Sequence, residues 1–184
     1  MGGVQSFAQP SAYGLGHPAT PAEIAGWNID VRPDGAGAPP GRGDVASGEA
    51  VFAAKCAACH GVGGEGGLAD PLVGGQGSLA TSKPLKTIGS YWPFATTVFD
   101  YIRRAMPYTA PQSLQPDEVY SLVAYLLWRN GVVRRETMLD RETLPRVEMP
   151  NRCGFLHGIG AGAMGGGDRC QRATQAAGAS SLRR

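Results

Sequence analysis

The feature that most constrains this 184-residue chain is the sequence Cys-Ala-Ala-Cys-His at residues 56–60. Two cysteines three residues apart lie on one side of a helical turn, where each thiol can form a thioether with one vinyl group of a porphyrin. The adjacent His60 can then reach the iron as an axial ligand. The motif therefore predicts one haem c attached through Cys56 and Cys59, and the fold must leave room for a flat cofactor.

Two other interpretations of paired cysteines are less consistent with the sequence. A zinc site needs a second pair of ligands at similar spacing, and Cys153 and Cys170 do not form such a pair. A thioredoxin-like redox pair is disfavoured because no strand-rich βαβ pattern surrounds residues 56–60.

Composition and charge exclude some classes of partner. The net charge is only +2, and the basic residues are scattered apart from short pairs such as Arg103-Arg104, so nucleic-acid binding is not expected. No segment approaches the roughly 18 apolar residues of a membrane span. The N-terminus lacks the basic region and apolar core of a signal peptide. Because this motif receives its haem outside the bacterial cytoplasm, we expect a mature periplasmic protein whose leader has been removed.

Residues 1–43 predict an extended arm. Six prolines between Pro10 and Pro40 exclude a long helix. The arm nevertheless contains four residues that are too apolar for a simple linker: Ile24, Trp27, Ile29 and Val31. We expect part of the arm to pack on its own domain or on another subunit, with a loosely ordered leader as the alternative.

Helical patterns fill residues 44–131, and no run alternates for long enough to predict a strand, so an all-α fold is expected. The first helix is predicted at about 44–57, with Asp44 as its N-cap. The second is predicted at about 94–105, and the third begins at Pro116 and ends near Asn130. Between them, a glycine-rich loop follows residue 60 and allows the backbone to approach a cofactor. Residues 132–184 form a C-terminal extension, Gly-rich and expected to be flexible after residue 153.

The position opposite His60 decides between an electron carrier and a haem enzyme or gas binder. Met106 is the candidate ligand, because it follows a helix and precedes Pro107, which would fix its thioether on a rigid turn. From its position alone, Met106 is about as consistent with an ordinary packing role as with a ligand role. The alternative ligands are less favourably placed in the sequence: Met138, Met149, His17 and His157.

Residues 44–131 resemble the class I cytochromes c. The resemblance rests, in order, on Gly48, Phe52, the Cys-x-x-Cys-His motif, Asp70-Pro71-Leu72-Val73-Gly74, Met106-Pro107 and Tyr125. That family implies a helical domain whose first and last helices cross through Gly48, Phe52 and Tyr125. It also implies that the Pro71 carbonyl accepts the Nδ1 proton of His60, and that Met106 is the second axial ligand.

Segments outside this core carry a narrower resemblance, to the cytochrome c subunit of the sulfane or sulfite dehydrogenase of bacterial Sox systems. They are residues 14–20, 23–35, 87–94 and 149–152. That family implies a periplasmic cytochrome that sits against a molybdenum-cofactor subunit, takes electrons released by sulfur oxidation, and passes them to a soluble c-type cytochrome. The arm would then dock on the catalytic subunit.

Two features depart from this family. Some members carry two haem domains, whereas this chain has one Cys-x-x-Cys-His motif. The sequence from Cys153 onward does not resemble the family, so nothing is transferred to it. Cys153 and Cys170 are equally compatible with a disulfide and with free thiols.

Three functions are consistent with the sequence. The first is a noncatalytic electron-transfer subunit of an oxidoreductase, with His60 and Met106 bound to iron in both oxidation states. The second is a five-coordinate haem enzyme or gas sensor, and the third is a freely diffusing cytochrome. Trp92 or Tyr91 is a candidate to hydrogen-bond a haem propionate, although an aromatic pair before a helix is more often part of a core.

Overall fold

The structure, a computed structural model, describes residues 15–155. His157, Cys170 and all but the first two residues of the sequence predicted to be flexible after residue 153 lie outside this range. The chain divides into two compact units between Asp30 and Val31. Among the helices of residues 15–155, none has the combined length and hydropathy that a membrane span requires.

The described part of the first unit contains one short helix, α1 (Pro21–Trp27). Thr20 and Glu23 form a capping box: the Thr20 hydroxyl accepts from the Glu23 N–H, and the Glu23 carboxylate accepts from the Thr20 N–H at 2.8 Å. The prolines that exclude a long helix thus permit two turns, because Pro21 occupies the first turn. Ile24 and Trp27, one turn apart, are 52% and 86% exposed.

Four helices lie in the described part of the second unit, residues 31–155. They are α2 (Val45–Lys55), α3 (Ala57–His60), α4 (Ala95–Ala105) and α5 (Pro116–Arg129), with single 3-10 turns at Ser78–Ala80 and Leu144–Arg146. Their bounds are close to those predicted, with one difference. The first predicted helix is interrupted at Cys56, whose backbone leaves helical geometry (φ −125°, ψ −35°) before the short α3 begins.

The core lies where α2 crosses α5. Gly48 permits the close approach of the two helices, because a Cβ at this position would overlap the Ser121 carbonyl and approach the Tyr125 Cβ to 2.8 Å. The tilted rings of Phe52 and Tyr125 pack nearby, with their centroids 5.2 Å apart. The predicted helix crossing through these residues is therefore present, and within residues 15–155 the all-α fold is confirmed apart from one small sheet.

That sheet consists of two three-residue strands, β1 (Arg42–Asp44) and β2 (Met138–Asp140). They are antiparallel, with Gly43 opposite Leu139. A Cβ at Gly43 would overlap Ser121, so β1 lies directly against α5. Leu139, Leu144 and Met149 are buried in the same core cluster, so the segment after α5 is packed on the helices at least as far as Met149.

Candidate haem site

Cys56 and Cys59 present different environments. The Cys56 N–H donates to the last turn of α2, at the Phe52 carbonyl, and its own carbonyl accepts from the Cys59 and His60 N–H groups. Cys56 is half-buried against the core, and this burial raises the pKa of its thiol to about 11. Cys59 is exposed, and neither cysteine is in a disulfide. The short α3 thus holds both thiols and His60 within one turn.

His60 is oriented by a backbone carbonyl. Its Nδ1 lies 2.9 Å from the Asp70 carbonyl oxygen. A carbonyl only accepts, so Nδ1 must carry a proton, and Nε2 is the nitrogen left to ligate a metal. The family resemblance implied the Pro71 carbonyl in this role, and the structure corrects it to the carbonyl of the preceding residue.

The physical reason lies in the loop that follows α3. The Gly66 N–H donates to the His60 carbonyl at 2.8 Å, and the Ala69 N–H donates to the Cys59 carbonyl at 2.9 Å. These bonds fold the loop back on the motif and bring the Asp70 carbonyl against the imidazole. Pro71 follows directly and is half-buried.

The loop glycines are predicted to let the backbone approach a cofactor, but at two positions they instead permit close contact with the backbone of the motif. A Cβ at Gly61 would lie 2.5 Å from the Gly66 carbonyl, and one at Gly67 would lie 2.9 Å from the Cys59 carbonyl. Gly61 also has a positive φ of 82°. These two glycines are needed for the contact of the loop with the motif backbone. Gly74 and Gly77, in contrast, have no atom within 4 Å of an added Cβ.

Met106 lies at the C-terminal end of α4, where its extended backbone (φ −121°, ψ 149°) ends the helix. Its N–H still donates to the Ile102 carbonyl at 3.0 Å, and its side chain packs at the edge of the core. The alternative methionines lie elsewhere: Met138 is 50% exposed on β2, and Met149 is 3% exposed inside the core. Met106 is thus a half-buried thioether on a fixed helix end.

The remaining candidates have clear neighbours. Trp92 packs on the core and contacts Tyr101 edge to face, with centroids 5.6 Å apart. Tyr91 contacts Phe155 in the same manner at 5.2 Å. His17, in the first unit, pairs with Glu23 at 3.4 Å. Cys153 is disulfide-bonded, whereas Cys170 lies outside the described residues.

Asn130 was expected only to end the last helix. In the structure it is 6% exposed, and its side chain is bonded to the segment between Asp70 and Gly74. The Asn-Gly sequence signals a helix C-terminus, but no sequence pattern signals the long-range bonds of the amide.

The donor set fits haem better than a protein-ligated metal. No group of three or more His, Cys, Asp or Glu side chains in residues 15–155 is arranged to hold a metal ion. An iron already held by a porphyrin needs only axial ligands, and the His60 Nε2 and the Met106 thioether are of the required type. Cys56 and Cys59 supply the two thiols that thioether attachment needs.

Comparisons with known proteins agree with this site. A family model described as cytochrome c oxidase, cbb3-type, subunit III matches residues 43–126. Among solved structures, the crystal structure of the sulfane dehydrogenase SoxCD from Paracoccus pantotrophus matches with a TM-score of 0.73 and 48% sequence identity. The match covers 78% of this chain and 71% of that chain. No curated protein sequence matches. Identity at this level over most of both chains, together with the haem motif and the α2–α5 crossing, places the chain in the class I cytochrome c family, whose cofactor is haem c.

Proposed function

We propose that this chain is a periplasmic, monohaem electron-transfer subunit. It accepts electrons from a molybdenum-containing sulfane or sulfite dehydrogenase subunit and passes them to a soluble c-type cytochrome. The observation that carries the proposal is the oriented His60, whose Nδ1–H is held by the Asp70 carbonyl so that Nε2 faces away to ligate. The likeness to the sulfane dehydrogenase SoxCD supports the partner.

The haem supplies a one-electron Fe(II)/Fe(III) couple when it is bound. Cys56 and Cys59 would attach its porphyrin, and His60 and Met106 would supply the nitrogen and sulfur ligands of its iron. Pro71, which follows Asp70, is proposed to contact the haem on the side where His60 binds. Trp92 is the candidate donor of a hydrogen bond to a haem propionate. With the two thiols and the imidazole committed to the haem, these residues would transfer electrons, and the sulfur chemistry would belong to the partner.

The competing function is a haem enzyme or gas sensor with an open iron position. Met106 supports electron transfer, because its half-buried thioether is held at a helix end, where it would be available as a second iron ligand. Methionine ligation also favours the ferrous state and raises the reduction potential, which suits an electron acceptor.

The optical spectrum of the oxidised, haem-loaded protein tests the ligand set. The wild type should show the weak far-red band of sulfur-to-iron charge transfer, and one haem per chain. Met106→Ala should abolish that band. Met138→Ala removes an exposed thioether from β2 and should leave the band unchanged. Rapid carbon monoxide binding by the reduced wild type would contradict the proposal and support the open-site alternative.

The arm is proposed to dock on the molybdenum subunit. Ile24 and Trp27 lie one turn apart on the same side of α1 and expose large apolar surfaces. An exposed tryptophan of this size is a typical interface anchor.

Purification of the tagged full chain from its source cells, followed by metal analysis, tests this docking. The wild type should copurify with molybdenum, and Trp27→Ala should reduce the molybdenum recovered by at least about tenfold, the ratio expected for a residue worth more than ~1.4 kcal/mol. Ala25→Ser, on the other side of the same helix, is the matched control. A wild type that purifies without molybdenum would instead indicate a freely diffusing cytochrome.

A further inference from the structure

The Asn130 side chain is a fully bonded amide buried at the end of α5. Its Oδ1 accepts from the Gly74 N–H at 3.1 Å and from the Gln76 Nε2 at 3.3 Å. Its Nδ2 donates to the Leu72 carbonyl at 3.1 Å and to the Leu126 carbonyl at 2.8 Å. Two N–H donors face the oxygen and two carbonyls face the nitrogen, so the partners themselves fix the amide orientation.

These bonds act on the segment that orients His60. Leu72 and Gly74 are both held by the one side chain, and Leu72 lies two residues after Asp70, whose carbonyl accepts from the His60 Nδ1–H. The Leu72 N–H is bonded in turn to the Gly64 carbonyl at 2.8 Å, in the loop that follows His60. The segment is therefore fixed between Asn130 on one side and the haem-attachment loop on the other.

The surroundings leave Asn130 little room to move. A Cβ at Gly89 would overlap the Asn130 Oδ1, so the turn before α4 closes against the amide. The Asn130 backbone carbonyl also accepts from the Gln76 Nε2, at 2.9 Å. A side chain that is buried, fully bonded and enclosed in this way holds its partners in one geometry.

We propose that Asn130 is a positioning residue for the haem: by fixing residues 72–74 it holds the Asp70 carbonyl on the His60 Nδ1–H. This inference rests on His60 being the axial ligand, as proposed above. A firmly held Nδ1–H bond makes the imidazole a stronger donor to iron, and a stronger donor stabilises Fe(III). Loss of the Asn130 amide should therefore raise the reduction potential.

The test uses the full-length, haem-loaded protein and two readouts, the reduction potential and the solvent exchange of the His60 Nδ1–H in the diamagnetic ferrous state. Asn130→Ala should raise the potential and should accelerate this exchange by roughly tenfold, the factor expected when a hydrogen bond is lost. Tyr120→Phe is the matched control. It removes a 2.9 Å bond from the same helix to the Pro39 carbonyl and should change neither readout.

A second variant covers the case in which Asn130→Ala does not fold. Gln76→Ala removes an exposed side chain that steadies the Asn130 amide, and should shift both readouts in the same direction by a smaller amount. Wild-type values in a folded Asn130→Ala protein, or in Gln76→Ala if Asn130→Ala fails to fold, would overturn the inference. A wild type without His60 ligation would instead refute the ligand assignment itself, and its spectrum reveals that before any Asn130 variant is made.

Discussion

Asp44 shows how one side chain begins the helix that leads to the haem motif. Its backbone is extended (φ −118°, ψ 170°), and its Oδ1 accepts from the Ser47 N–H at 2.8 Å. This bond holds the pKa of the Asp44 carboxyl below its ordinary range. Since α2 carries Gly48 and Phe52 into the crossing with α5, the cap also stabilises the packing behind Cys56.

Asp44→Ala should therefore destabilise the protein by about 1 kcal/mol near neutral pH, the usual cost of losing an N-cap. The folded-state pKa is lowered, so this stabilisation is present above the unfolded-state value of roughly 4 and is lost as the pH falls through the folded-state value. Urea unfolding at pH 7 and at progressively lower pH should show the difference between wild type and variant shrinking in acid.

Asp44→Asn is the control for this measurement. Asparagine is an equally good N-cap and does not titrate, so this variant should match the wild type at neutral pH. It should also keep its advantage over Asp44→Ala in acid. If the difference in unfolding free energy between wild type and Asp44→Ala stayed constant at all pH values, the charge of Asp44 would not contribute to stability.

At the scale of elements, the segment after α5 is the part whose packing adds to the helical core. β2 pairs with β1, and Leu139, Leu144 and Met149 bury their side chains with those of the helices. The 3-10 turn Leu144–Arg146 places Leu144 at 0% exposure. The segment thus belongs to the same hydrophobic core as α2 and α5.

Leu144→Ala should then destabilise the whole second unit by about 2–5 kcal/mol, the usual range for a large-to-small change in a core. Urea unfolding of the haem-loaded protein, followed by far-ultraviolet circular dichroism, measures this as one shifted transition. Glu142→Ala, on the exposed surface of the same segment, should stay within about 0.5 kcal/mol of the wild type. A similarly small effect for Leu144→Ala would mean that the segment unfolds independently of the helices.

At the scale of the whole molecule, the sequence predicted the features that depend on local patterns of side chains, such as the bounds of the helices. The helical pattern predicted α4, and Pro116 predicted the start of α5, with bounds within about two residues of those observed. The two strands were missed, because three residues are too few to show alternation. The Asp70 carbonyl was misassigned by one residue, because a backbone acceptor leaves no trace in the pattern of side chains. The long-range bonds of Asn130 were missed because they depend on how the loop folds.

The pairing of β1 with β2 has a consequence for the order of events during maturation. Arg42 of β1 precedes the Cys-x-x-Cys-His motif in the chain, and its partner Asp140 of β2 follows it. The helix α5, which packs against α2, also follows the motif. During synthesis from the N-terminus, Cys56 and Cys59 emerge before these partners exist. Contacts this distant in sequence also form slowly. An open chain would therefore present both thiols to a haem before Cys56 becomes half-buried at the edge of the folded core.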